Sequence, residues 1–67
     1  MQEVEKNKLV GVFEELKGIE TKAAELYADL LEEKLSTEEA EVVENIRQDE
    51  LEHVEIAGQI IALIKES

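Results

Sequence analysis

The chain has 67 residues, with 7 Lys+Arg against 18 Asp+Glu, for a formal net charge of -11. That charge repels phosphate backbones and anionic membrane surfaces, so nucleic-acid and membrane partners are not expected. With no Cys, no Pro and three Gly, the composition excludes a disulfide framework, thiolate metal sites and thiol catalysis, and it leaves few residues for the turns of an all-β domain. The length admits one small domain, near the limit at which a lone core suffices.

No apolar run approaches the ~18 residues of a spanning helix. The opening MQEVEKNKLV lacks the apolar centre of a secretion signal. A soluble, cytoplasmic protein is the expectation. The 43% apolar residues recur with a clear period, which argues against disorder.

Two periodic segments stand out, one from about Lys8 to Leu35 and one from about Thr37 to Lys65. Met1 to Asn7 is polar and reads as either an early helical turn or a frayed end. The first segment carries Leu9, Val12, Leu16, Ile19, Ala23, Leu26 and Leu30 in alternating steps of three and four, the seam of a helix bundle. A flanking row one residue on reads Phe13, Glu20 and Tyr27, so Glu20 falls within an apolar face.

Ser36 followed by Glu39 is a capping box that starts the second helix almost directly after the first ends. A short connection makes the two helices antiparallel neighbours. The fold class expected is therefore all-α: a single helical hairpin over residues 1–67 with its turn near residue 36.

The second helix repeats the pattern at Val43, Ile46, Glu50, His53, Ala57, Ile60 and Ile64. Glu50 and His53 occupy seam positions where Leu or Ile is expected, and local contradictions of this kind tend to mark function. Their spacing of three puts both on one helical face, one turn apart. Glu20 and Glu50 lie at similar distances from Ser36 in sequence, so an antiparallel hairpin brings them nearly level.

A two-helix hairpin cannot bury its own seam, so a two-fold pairing with a second copy into a four-helix bundle is expected. That pairing gathers two copies each of Glu20, Glu50 and His53. Four ionised carboxylates in a partly dry core are strongly unfavourable unless protonated or neutralised, and two divalent cations neutralise them. Carboxylates with one imidazole per cation and no thiolate favour iron or manganese, with zinc as a substitute.

The set Glu20, Tyr27 and Glu50-Leu51-Glu52-His53 resembles the ferritin-like di-iron carboxylate family, in which single-helix glutamates combine with Glu-x-x-His pairs. The string Arg47-Gln48-Asp49-Glu50-Leu51-Glu52-His53 is similar to the second helix of encapsulated ferritins, half-ferritins whose site is completed across a dimer. The run Glu20 to Tyr27 is similar to a rubrerythrin first helix. The resemblance spans roughly residues 8 to 65. It implies a ferritin-like four-helix bundle and a ferroxidase that oxidises Fe(II) to Fe(III) at a di-iron site. Glu50 would bridge the irons, His53 would be a terminal ligand, and Glu20 a terminal or bridging carboxylate, with Tyr27 as a hydrogen-bonding or redox neighbour. It also implies a homodimer, a higher ring-like oligomer, and an encapsulin shell as a partner and compartment.

Each residue also has a plainer reading. His53 alone on a seam is a hydrogen-bonded core residue, Glu50 pairs with Arg47 on the surface, and Tyr27 simply packs. Gly11 and Gly18, seven apart on the outer side of the first helix, are either local flexibility or the approach of another dimer; Val10, Leu31 and Leu63 stray from the seam and hint at assembly beyond a dimer. Two further functions compete with the ferroxidase: a metal-free oligomerisation bundle, and a rubrerythrin-like di-metal peroxidase.

Overall fold

A computed structural model describes all 67 residues, Met1–Ser67. It contains two helices and no strands: α1, Glu3–Leu30, and α2, Thr37–Glu66. They pack side by side as an antiparallel hairpin measuring 51 × 14 × 10 Å. Neither helix is long and apolar enough to cross a membrane.

α1 begins five residues earlier than the apolar stripe suggests. Glu3 and Glu5 lie in its first turn, where carboxylates meet the positive end of the helix dipole. Lys6 N–H donates to the Gln2 carbonyl at 2.9 Å, setting the first turn. Glu, Lys and Asn over this stretch carry the helix without any core contribution from the sequence pattern.

α1 also ends at Leu30, short of the expected Leu35. Its last turn has no basic side chain, and Glu32 and Glu33 would place negative charge at the negative end of the dipole. The chain tightens there: the N–H groups of Glu32 and Glu33 donate to the Asp29 and Leu30 carbonyls. The connection is thus residues 31–36, longer than the capping signature alone implies.

α2 starts where expected. The Glu39 N–H donates to Ser36 Oγ at 3.1 Å, and the Ser36 N–H donates to Glu39 Oε1 at 2.8 Å. Two orphan donors at the helix start are thereby satisfied. The backbone hydrogen bond from Ser36, then that from its hydroxyl, holds the Glu39 carboxyl below its usual range.

The line of contact between the helices differs from the apolar stripe on α1. One row of half-buried or buried residues runs Val10, Phe13, Lys17, Glu20, Ala24 and Tyr27 along α1 to Leu31 just past its end; on α2 the matching row runs Val43, Arg47, Glu50, Val54, Ala57, Ile61 and Ile64. Both rows step by three and four, so the flanking row on α1 is the one that faces α2. Val10 and Leu31 belong to this contact rather than to an outer surface. The stripe containing Leu16, Ile19 and Leu26 lies on an adjacent face and is exposed.

Only Ala24, Ala57 and Ile61 are buried. A core this small cannot offset the ordering of two long helices.

Candidate metal centre

Glu20 and Glu50 project from the contact rows of the two helices, at the level where both are near mid-length. Each is half-buried. His53 stands one turn from Glu50 toward the open end and leans out on one flat side of the hairpin. Its side chain is 54% exposed, against 20% for Glu20.

His53 Nδ1 lies 3.0 Å from Glu20 Oε2. One donor atom from each of Glu20, Glu50 and His53 fits within a mutual separation of 4.8 Å. The hairpin therefore brings together all three residues singled out as metal ligands, and the near-level register counted from Ser36 is observed.

The electrostatics of the cluster are those of crowded carboxylates. The Glu50 carboxyl is pushed above its usual range, chiefly by hydrogen bonding to Glu20. Partial burial and the repulsion of the Glu20 charge add to this, and Asp49 adds a further push; His53 pulls the other way. Without a cation, a proton on Glu50 is the arrangement that relieves the repulsion.

The donor set fits a divalent cation. Two carboxylates and an imidazole offer hard and borderline ligands with no thiolate, a combination suited to iron, manganese or zinc. A single hairpin supplies three ligand groups and leaves the His53 side open, so further ligands must come from solvent or from another chain.

The pairing of Glu50 with Arg47 is not formed. Arg47 Nη1 donates instead to Glu44 Oε1 at 2.9 Å, and Gln48 Nε2 donates to the same oxygen at 2.8 Å. This local clamp on α2 leaves Glu50 free to face α1. Tyr27 is half-buried on the same contact row, two turns from Glu20 toward the connection.

No family model, no curated protein and no solved structure matches the chain.

Proposed function

We propose that the protein is a ferroxidase that oxidises Fe(II) to Fe(III), with dioxygen or peroxide taking the electrons, at a di-iron site formed across a homodimer. Glu20, Glu50 and His53 of each subunit hold the ions, and Tyr27 neighbours them. The observation that carries this reading is the convergence of two carboxylates and the chain's one imidazole from opposite helices, at the place where an all-helical contact line should be apolar.

Three features support it. The exposed apolar stripe of α1 gives a second copy a face to cover. A two-fold pairing supplies the missing half of the ligand set. The crowding that raises the Glu50 pKa is relieved by cations, since two divalent ions balance four carboxylates. In this reading Fe(II) is the substrate, and the chain's part is to bind it, to hold paired negative charge that favours the higher oxidation state, and to limit the surrounding water.

The test is anaerobic loading with Fe(II) followed by air, monitored by ferric absorbance. Parent protein is expected to oxidise iron well above the buffer rate, while Glu50→Ala and His53→Ala fall to it. Equal rates in parent and variants overturn the proposal. Repeating the reaction with peroxide in place of air separates the ferroxidase from the di-metal peroxidase.

A metal-free structural bundle is the second reading. It is favoured by the His53–Glu20 contact at 3.0 Å, which satisfies the two groups without any ion. That reading requires the thermal midpoint to be indifferent to Fe(II) and Mn(II).

A further inference from the structure

Glu50 has one arginine within reach on its own helix. Arg47 and Lys65 are the arginine and lysine residues of α2, and only Arg47 stands one turn from Glu50. Both Arg47 and Glu50 lie on the row that faces α1, and both are half-buried. Opposite charges three residues apart on a helix are placed to pair. An ion pair there would occupy the carboxylate oxygens that a cation needs.

The helix offers Arg47 a second carboxylate at the same spacing in the other direction, Glu44. No other Asp or Glu of α2 stands three or four residues from Arg47. Side chains on a helix lean toward its N-terminus, which favours Glu44 over Glu50. Arg47 Nη1 accordingly donates to Glu44 Oε1 at 2.9 Å. Gln48, one turn after Glu44, donates Nε2 to the same oxygen at 2.8 Å. The Glu44 carboxylate is thus fixed by two donors from its own helix, although its side chain is 41% exposed.

Arg47 also lines a small groove of about 150 Å³ with Ala24, Glu25, Ala28 and Leu51. Leu51 and His53 are two residues apart, roughly 200° around α2. The groove therefore opens on the flat side opposite His53, and the guanidinium is drawn away from the side on which the cluster is open. Lys17 is the corresponding cation on α1, three residues before Glu20. It makes no ion pair and lines a groove on the surface of α1 with Glu14, Thr21 and Glu25. Each carboxylate of the cluster has a cation one turn away, and the one beside Glu50 is tied back by an acceptor of its own.

We propose that Glu44 is a positioning residue for the metal site: by holding Arg47 it keeps the guanidinium off Glu50, and so sets the affinity of the Glu20, Glu50 and His53 cluster for a divalent cation. This role rests on the metal site of the preceding section and adds a residue that never touches the ion. Without Glu44 the guanidinium turns to Glu50, and a cation must displace it. The apparent affinity then falls by the fraction of chains in which Glu50 is left unpaired.

Mn(II) binding, measured by isothermal titration, tests this role. Glu44→Ala is expected to bind Mn(II) about fivefold more weakly than the parent. Its helical circular dichroism should be unchanged, because Ala favours helix. Glu44→Ala/Arg47→Gln removes the competitor and should return to within about twofold of the parent. Glu55→Ala controls for charge acting at long range, since Glu55 lies five residues from Glu50 as Glu44 lies six, and Glu55 holds no cation. Its affinity should stay within about twofold of the parent as well. A Glu44→Ala affinity equal to that of the parent or of Glu55→Ala overturns the role of Glu44 and leaves the metal site standing. A double variant as weak as Glu44→Ala does the same. A parent chain that binds no Mn(II) overturns both.

Discussion

Glu50 occupies a helix-facing position that a packing rule assigns to Leu, and its protonation reflects that conflict. Its pKa is raised in the folded chain, so the folded state binds this proton more tightly than the unfolded state does. The associated stability is present below the ordinary carboxylate range and is lost as pH rises through the raised value. Metal-free protein is therefore expected to melt at progressively lower temperature from pH 4 toward neutrality. Glu50→Gln, which cannot ionise, should show a shallower fall in the presence of chelator. Parallel melting curves for the two proteins across that range would contradict the assigned cause.

A cation held at the proposed site would reverse this dependence. Mn(II) present at about a hundredfold above its dissociation constant stabilises a one-site protein by about 2.7 kcal/mol. The parent should gain thermal stability with Mn(II) at neutral pH, and His53→Ala should gain much less. Isothermal titration on the same samples separates lost binding from altered folding.

At the scale of the helix, stability is concentrated at identifiable positions. Ser36 holds the start of α2 through a reciprocal pair of hydrogen bonds with Glu39. Ser36→Ala should cost about 1 kcal/mol, read as a lower denaturant midpoint with an unchanged slope. Gly11 and Gly18 lie inside α1 with no heavy atom within 4 Å of an added Cβ. Gly18→Ala should therefore stabilise the chain by roughly 0.5–1 kcal/mol. A loss of stability there would reveal a neighbour approaching that side in the assembled protein.

The helices and the cluster were accessible from the residue pattern for different reasons. The Glu50–His53 pair needs only the helical repeat, and the Ser36 cap supplies a fixed origin from which Glu20 and Glu50 count to one level. The bounds of α1 were not accessible, because Glu3 to Lys8 form helix through charge and propensity with no apolar period to announce it. No Gly or Pro marks the end at Leu30. The line facing α2 is the flanking row through Phe13, Glu20 and Tyr27 rather than the stripe through Leu9, Val12 and Leu16. A three-four spacing identifies an apolar face, but it does not say whether that face meets the chain's own second helix or another molecule.

For the whole molecule, that ambiguity becomes a statement about assembly. α1 has two apolar rows side by side, and the hairpin uses one. The other leaves Ile19 62% and Leu26 64% exposed, which a solitary hairpin with three buried residues has no means to hide. Ile19→Asp places a charge on the exposed row beside Glu20 without entering the contact with α2. It is expected to halve the sedimenting mass and to lower the melting temperature, whereas Glu55→Asp, off that row, should do neither. If Ile19→Asp retains the parent mass and stability, the exposed stripe is not an interface.

The cap at Ser36 also sets what changes in length the gene can tolerate. An extra residue within 31–36 is taken up by a loop. An extra residue between Thr37 and Asp49 cannot be: it turns everything downstream by ~100° relative to the start of α2, swinging Glu50 and His53 away from Glu20 while every side chain is still present. Insertions on the two sides of one serine should thus have opposite fates, the first nearly silent and the second removing cation binding without deleting a single ligand.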